Sequence, residues 1–116
     1  MSKPRLKLHV RILAEEQIAF GPGKAELLEA IQRTGSISQA AKSMEMSYRR
    51  AWQLVDTMNQ CVHSHLVETQ TGGTHGGGAV VTEFGQMILK KFRAMEQHAL
   101  QTLESEFKDI SRYLKP

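Results

Sequence analysis

The stretch GSISQAAKSMEMSYRRAWQLVDTMNQ, residues 35–60, predicts two helices joined by a tight turn. In its first half, four apolar residues recur at helical spacing: Ile37, Ala40, Ala41 and Met44. Ser36 or Ser38 can cap this helix. The short side chains of Ala40 and Ala41 let another helix approach closely, as a helix-turn-helix requires.

The second half predicts a helix from Tyr48 to about Gln60, with Ser47 as its N-cap. Successive residues placed at steps of ~100° around the helix axis separate into two sides of this helix. The predicted buried side carries Tyr48, Ala51, Trp52, Leu54, Val55 and Met58. The predicted exposed side carries Arg49, Arg50, Gln53, Asp56, Thr57 and Gln60. For Asp56 we expect pairing with Arg49 or Gln53 rather than a contact with a base.

Upstream of this pair, the residue pattern changes its period. Residues 5–13 alternate apolar and polar side chains, which predicts a strand with one buried face. Phe20–Gly23 predicts a loop, because two glycines flank a proline. Residues 24–34 then repeat at helical spacing, and Gly35 ends that helix.

Downstream, a hairpin and a long helix are predicted. Residues 66–71 and 79–81 have strand character and flank a loop, residues 72–78, with five glycines. Thr82 precedes Glu83, which predicts a helix start. Apolar residues then continue at helical spacing to Leu114, so we expect one helix of about 30 residues.

Together these elements predict an α+β, mostly helical fold: a winged helix-turn-helix with an N-terminal strand and a long C-terminal helix. Three short helices followed by a hairpin are typical of that architecture. With 116 residues the chain is long enough for one core. We therefore predict a single domain over residues 1–116, with the helix-turn-helix at about 36–60, the wing at about 66–82 and the long helix at about 83–114.

Composition excludes several classes of protein. A single cysteine, Cys61, cannot form an internal disulfide, which argues against a disulfide-stapled secreted scaffold. No apolar run approaches the ~18 residues of a membrane span, and charges interrupt the first eleven residues, unlike a signal peptide. We expect a cytoplasmic location and no membrane partner. The net charge of +3 fits a polyanionic partner without requiring one.

In a winged helix, the second helix of the pair lies in the major groove. Arg49, Arg50 and Gln53 occupy the first two turns of that helix, and arginine and glutamine pair with guanine and adenine respectively. We expect phosphate contacts from Ser36, Ser38, Gln39, Lys42, Ser47 and Tyr48, and backbone or minor-groove contacts from Thr71, Thr74 and His75 in the wing.

Resemblances to two known families make the predicted function more specific. Residues 35–42, 47–52 and 58–59, followed by 66–68, 71–79, 81–82 and 85, resemble the N-terminal domain of the ModE family of molybdate-responsive transcription regulators. This resemblance runs from about Leu13 to Phe92 and includes the wing. A second likeness, to LysR-type regulators, is confined to the Gly-Ser-x-x-x-Ala-Ala segment, residues 35–41.

The ModE resemblance implies a homodimeric transcription factor that binds double-stranded DNA at a palindromic site. It implies DNA contacts from the serines and glutamine at the start of the first helix, from the start of the second, and from the wing. The family's molybdate-binding domains have no counterpart before Pro116, so we expect no molybdate site in this chain. Either a stand-alone DNA-binding protein or an excised domain fits this pattern.

Other chemistry finds less support in the sequence. Cys61, His63, His65 and His75 are residue types that suit zinc, but their spacing matches no structural zinc pattern, so we predict no metal site. The glycine run lacks the Gly-Lys-Ser/Thr ending of a phosphate-binding loop. No catalytic set stands out, and we predict neither an enzyme nor a cofactor.

The last helix has an apolar stripe longer than the preceding body can cover. Leu103, Phe107, Ile110 and Leu114 would be exposed together in a monomer, which favours a dimer interface. A winged helix that docks an acidic protein partner through its basic face, with little DNA affinity, remains the alternative function.

Overall fold

The computed structural model describes residues 3–70 and 78–116. In chain order the elements are β1 (Ile12–Ala14), β2 (Gln17–Phe20), α1 (Pro22–Thr34), α2 (Ile37–Ser43), α3 (Tyr48–Gln60), β3 (Val67–Gln70), β4 (Gly78–Val81), α4 (Glu83–Thr102) and α5 (Glu104–Ser111). Three short helices precede the β3–β4 hairpin and a long helix follows it. The predicted α+β, mostly helical winged helix-turn-helix is confirmed.

The predicted N-terminal strand at residues 5–13 is wrong in its position. β1 begins only at Ile12 and pairs antiparallel with β2, which the sequence did not predict. The apolar residues before it, such as Leu8, are nevertheless less exposed than their polar neighbours. The alternation therefore reports burial on one side of an extended segment. It does not report strand pairing, because no partner strand lies beside residues 3–11 in the described part of the chain.

The predicted loop at residues 20–23 is also displaced. Phe20 ends β2, Gly21 is the N-cap, and Pro22 is already in the first turn of α1. Proline suits that position because its fixed φ is helical and its missing N–H would have no partner there. At the other end, Gly35 adopts φ +77° and its N–H donates to the carbonyl of Ile31. This is the predicted helix stop.

The core lies between α1, α2, α3, the wing and α4. Leu27, Leu28 and Ile31 of α1 are fully buried, and Met58 of α3 and Phe92 of α4 pack into the same cluster. Phe92 meets Phe20 edge-to-face, with ring centroids 4.9 Å apart. This contact joins the end of β2 to α4.

α4 begins against the wing through Thr82. The Thr82 side chain caps the helix by accepting a hydrogen bond from the Gly85 N–H, and its hydroxyl donates to the carbonyl of His65 at 2.8 Å. Gly85 follows in the first turn, so close to β3 that a Cβ there would lie 2.3 Å from the carbonyl oxygen of Leu66. This close approach requires glycine.

An ion pair also joins α4 to α1. Arg93 donates to both carboxylate oxygens of Glu29, with its shorter contact at 2.7 Å, and to Glu96 at 2.8 Å. These hydrogen bonds raise the pKa of Arg93 despite its partial burial. The guanidinium therefore stays charged and α4 is held in a fixed direction across α1.

The predicted single helix to residue 114 is wrong, because the structure has two consecutive helices. α4 ends at Thr102, Leu103 lies between them with φ −90° and ψ −1°, and α5 ends at Ser111. α5 starts with Glu104 and Glu106, and acidic side chains favour a helix N-terminus. An apolar pattern alone does not reveal this local start. Among the described residues, no helix is long and apolar enough to cross a membrane.

Gly85 and Gly23 form a matched pair of helical glycines. We expect Gly85→Ala to lower the free energy of unfolding by about 1–3 kcal/mol or more, because the new methyl overlaps the Leu66 carbonyl. In Gly23→Ala the new methyl group meets nothing within 4 Å, and the free energy of unfolding should rise by about 0.4–1 kcal/mol. Urea unfolding of both variants tests this. Equal effects would contradict the close packing of α4 on β3.

Candidate nucleic-acid interface

Two serines fix the starts of α2 and α3. Ser36 accepts a hydrogen bond from the Gln39 N–H at 2.9 Å, and Ser47 accepts one from the Arg50 N–H at 3.0 Å. Each serine satisfies one of the unpaired donors at a helix N-terminus. Both predicted caps are therefore present, with Ser36 rather than Ser38 serving α2.

The turn between these helices depends on a left-handed residue. Glu45 adopts φ +55°, and the next N–H, that of Met46, donates to the Ala41 carbonyl at 3.0 Å. Ala40, Ala41 and Ala51 are almost completely buried where α2 and α3 pack together. The small side chains and the tight turn hold the start of α3 beside α2, as the sequence predicted.

α3 presents a polar row to solvent. Ala51, Val55 and Met58 are its buried residues, while Arg49 and Gln53 lie on the opposite side and are exposed. Among the described residues neither Arg49 nor Arg50 forms an ion pair. The guanidinium groups are thus available to an external acceptor.

Arg50 lies on one flank of α3 rather than at the centre of the exposed face. It lines a cavity of about 780 Å³ between α3, the start of α1 and the N-terminal segment, together with Arg11 and Lys24. The Nζ of Lys24 donates to the Ile18 carbonyl. Burial lowers the pKa of Lys24 and nearby Arg50 lowers it further, while Cys61 opposes the shift. Lys24 escaped the sequence analysis, since a lysine on an apolar helix face gives no signal that it is buried.

Two aromatic residues of α3 correct the predicted faces. Tyr48 and Trp52 were placed on the buried side, but they are 56% and 47% exposed. Ala51, Val55 and Met58 are the buried residues of α3, and Leu54 packs partly buried against the core, so the aromatic side chains on the other margin remain in solvent. The sequence projection missed this, because it separates apolar from polar residues without measuring the width of the buried strip.

Asp56 also departs from expectation. Its Oδ2 accepts a hydrogen bond from Gln60 Nε2 at 3.0 Å, one turn along α3, instead of pairing with Arg49 or Gln53. This contact draws the carboxylate toward the C-terminal half of α3. The first two turns are therefore left with cationic and amide groups.

The other predicted contacts fall into two groups. On α2 and its cap, Ser38, Gln39 and Lys42 are exposed and Ser36 is half-buried. The wing residues Thr71, Thr74 and His75 lie outside the described residues.

Asn59 fixes the wing to α3. Its Oδ1 accepts from the N–H groups of Leu66 and Val67 at 2.8 and 3.3 Å, and its Nδ2 donates to the Val67 carbonyl at 3.1 Å. β4 is fixed independently, since the Ala79 N–H donates to the Gly35 carbonyl at 2.9 Å. The hairpin therefore has a defined position relative to α3, and sequence reasoning gave Asn59 no such role.

Cys61 has an ordinary hydrogen-bonding environment. It is partly buried, and its thiol donates to Gln17 Oε1 at 3.7 Å. Within residues 3–70 and 78–116 no three His, Cys, Asp or Glu side chains are close enough to bind a metal. His75, the fourth candidate ligand, lies outside those ranges.

The predicted dimer residues form a largely uncovered stripe along α5, from Leu103 just before it to Leu114 just after it. Leu103, Ile110 and Leu114 are 38%, 62% and 51% exposed, and Phe107 is half-buried. α5 contains no buried residue. Within the described chain, nothing covers this stripe.

Two substitutions at Ser47 test whether its side chain stabilises the start of α3. We expect Ser47→Ala to lower the free energy of unfolding by about 1 kcal/mol, because the Arg50 N–H loses its acceptor. Ser47→Asp keeps an acceptor and should keep the stability. Thermal unfolding of both variants is the measurement, and a Ser47→Ala protein as stable as the parent would contradict the cap.

Comparison with known proteins agrees with this geometry. The family described as "Bacterial regulatory helix-turn-helix protein, lysR family" matches residues 23–86. The LysR likeness therefore extends well beyond residues 35–41, where the sequence motif alone had placed it. A solved LysR family transcriptional regulator shares the fold over 72% of this chain and 27% of its own, with a TM-score of 0.53 and 16% identity.

Curated relatives include several ModE proteins. The "Molybdenum transport protein ModE" of Azotobacter vinelandii is 35% identical over 96% of this chain and 42% of its own length. The "DNA-binding transcriptional dual regulator ModE" of Escherichia coli K12 is 40% identical over 79% of this chain and 33% of its own. The chain thus spans less than half of these relatives. The predicted resemblance to the N-terminal domain of ModE regulators is confirmed.

Proposed function

Because the chain belongs to the bacterial regulatory helix-turn-helix proteins of the LysR family, we propose that it binds specific sequences in double-stranded DNA through α3. The observation that carries this proposal is the start of α3. There a capped helix presents to solvent the amide of Gln53 together with Arg49 and Arg50, which form no ion pair within the described part of the chain. A transcription regulator of this fold needs such a surface, and no carboxylate precedes Asp56 on α3 to oppose DNA.

Base contacts come from the first two turns of α3. Arg49 and Arg50 can each donate two hydrogen bonds to guanine O6 and N7, and Gln53 can pair with the N6 and N7 groups of adenine. Arg49 and Gln53 lie at the centre of the exposed face, and Arg50 lies on its flank beside Lys24. We therefore assign Arg49 and Gln53 to the bases at the centre of a half-site and Arg50 to its edge.

Backbone contacts position this helix. We assign phosphate contacts to Ser36, Ser38, Gln39, Lys42, Ser47 and Tyr48. All of these except Lys42 lie at the N-termini of α2 and α3, where the helix dipoles favour an anion. Lys42 lies in the last turn of α2 and contributes its positive charge. Thr71, Thr74 and His75 of the wing are assigned to the adjacent backbone or minor groove on the basis of the ModE resemblance.

Substitution of the arginines tests the assignment of the bases. We expect Arg49→Ala to weaken binding to a DNA duplex selected in vitro by roughly 1–3 kcal/mol and to relax the preference for one guanine. Lys42→Ala should weaken binding to all sequences similarly and reduce its salt dependence. Lys90→Ala on the exposed side of α4 is the charge-matched control and should change neither. Fluorescence anisotropy at several salt concentrations gives both quantities.

Two results would contradict base recognition by α3. If selection yields no preferred duplex, or if Arg49→Ala and Lys90→Ala bind alike, α3 does not read bases. An acidic protein partner that binds equally well to the Lys90→Ala and wild-type proteins, but not to Arg49→Ala, would then identify the basic face as a protein-docking surface.

We further propose that the protein acts as a homodimer on a palindromic site. The support is the stripe of Leu103, Phe107, Ile110 and Leu114, which is too apolar to be left in water without cost. Two copies joined along α5 would place two α3 helices on half-sites about 34 Å apart, or a multiple of that spacing. In this proposal residues 1–116 form one winged-helix domain that binds DNA in the cytoplasm. The domain uses no cofactor and catalyses no reaction.

The dimer is tested by a charge placed in the stripe. Phe107→Asp should convert the dimer into a monomer at micromolar concentration, because a carboxylate would be buried without a partner. Ser105→Asp adds the same charge on the opposite face of α5 and should leave the dimer intact. Analytical ultracentrifugation distinguishes the states. A wild-type monomer at that concentration would overturn the dimer.

Relatives named for molybdenum suggest a ligand for the longer proteins. They include the "Molybdenum-pterin-binding protein MopB" of Rhodobacter capsulatus, 36% identical over 86% of this chain and 37% of its own length. We propose that residues 1–116 supply DNA recognition and that molybdate binding belongs to the portion of those relatives outside the match.

A further inference from the structure

We propose that Trp52 contacts the 5-methyl group of a thymine in the major groove and so determines part of the DNA sequence that α3 selects. This inference rests on the proposed function, since it requires α3 to lie in the groove. It adds an apolar base contact to the hydrogen-bonding contacts of Arg49 and Gln53.

Trp52 is unusually exposed for a residue in the middle of a helix. It is the only tryptophan of the chain, and nearly half of its surface is open to solvent, whereas Ala51, Val55 and Met58 of the same helix are buried. Tyr48, one turn earlier, lies on the same flank and is exposed as well. Large exposed aromatic residues are typical of a surface that is covered when a partner binds. Here they lie next to Arg49, which forms no ion pair among the residues that the structure describes.

Trp52 also lies on the side of α3 that contacts the wing. Trp52 lines a small cavity between α3 and β3, together with Val55 and Val67, which are buried. The indole therefore stands on the flank of α3 that faces the wing. Arg49, three residues earlier, is its neighbour on the outer surface of the helix. A groove that receives Arg49 must bring base edges close to Trp52.

The side chains around the indole carry negative charge. Asp56 and Glu68 line the same cavity, so a phosphate oxygen would meet two carboxylates there. A base edge carries no net charge and does not suffer that repulsion. Among the major-groove features of the four base pairs, the thymine methyl is the apolar one. An apolar ring beside carboxylates thus fits a thymine methyl and does not fit a phosphate.

Replacement of thymine by uracil removes only this methyl group and provides the test. The probe is the duplex selected in vitro by the wild-type protein, with each thymine of the half-site changed singly to uracil. At one position the wild-type protein should bind about fourfold more weakly, the loss expected for one buried methyl. Trp52→Ala should bind the thymine and uracil duplexes equally at that position, and Trp52→Phe should retain the preference.

Tyr113→Ala is the matched control, because Tyr113 is an exposed aromatic residue near the C-terminus, far along the chain from α3. It should keep the full preference for thymine. The emission of Trp52 provides an independent readout, since no other tryptophan contributes. Titration with the selected duplex should change its intensity and wavelength.

The outcomes separate this inference from the proposed function. Tight binding with no uracil effect at any position, or with an unchanged tryptophan emission, overturns the role of Trp52 and leaves DNA recognition intact. A uracil effect that persists in Trp52→Ala assigns the methyl contact to another residue. If Trp52→Ala fails to fold, the wild-type emission and the Trp52→Phe measurements still decide. Absence of binding to any duplex overturns both proposals.

Discussion

The arrangement of α3, the wing and α4 depends on the backbone of Leu66. Its N–H donates to Asn59 at the end of α3, its carbonyl accepts from the Thr82 N–H at 2.9 Å, and Gly85 packs directly against that carbonyl. Leu66 itself is fully buried, so each of these polar contacts is made away from water, where an unpaired group costs most. The backbone of one buried residue therefore fixes the angle between α3 and the hairpin and the direction in which α4 leaves it.

Local signals made most of the helical part predictable from the sequence. The Ser47 cap and the small Ala40 and Ala41 side chains defined α3 and its packing to the residue, because caps and close contacts depend on neighbours within a few positions. The N-terminal strand failed for the opposite reason. An alternating pattern indicates which side of a segment is buried, but a strand also requires a partner to pair with. β2 pairs with this segment only from Ile12 onward. The break at Leu103 likewise depends on a local helix start that an apolar stripe conceals.

The candidate site was predictable in its charges and less so in its shape. Arg49 and Gln53 lie where the helical projection placed them, because the centre of a polar face is insensitive to small errors in angle. The burial of residues at the margin of the face is sensitive to such errors. The buried strip of α3 is narrow, so Tyr48 and Trp52 fall outside it, and Arg50 turns toward Lys24. How wide that strip is depends on how deeply α3 sits against α1 and the wing, which is a property of the assembled fold.

The hydrogen bond from Ala79 to Gly35 has a consequence for how the protein behaves at high concentration. β4 pairs with β3 on one side only, so its other side would present free backbone groups that can recruit a strand from another molecule. The Gly35 carbonyl occupies that side at Ala79, and it can do so because the left-handed Gly35 turns the chain toward β4 at the end of α1. A residue that ends a helix thereby also protects the hairpin from aggregation through its open edge.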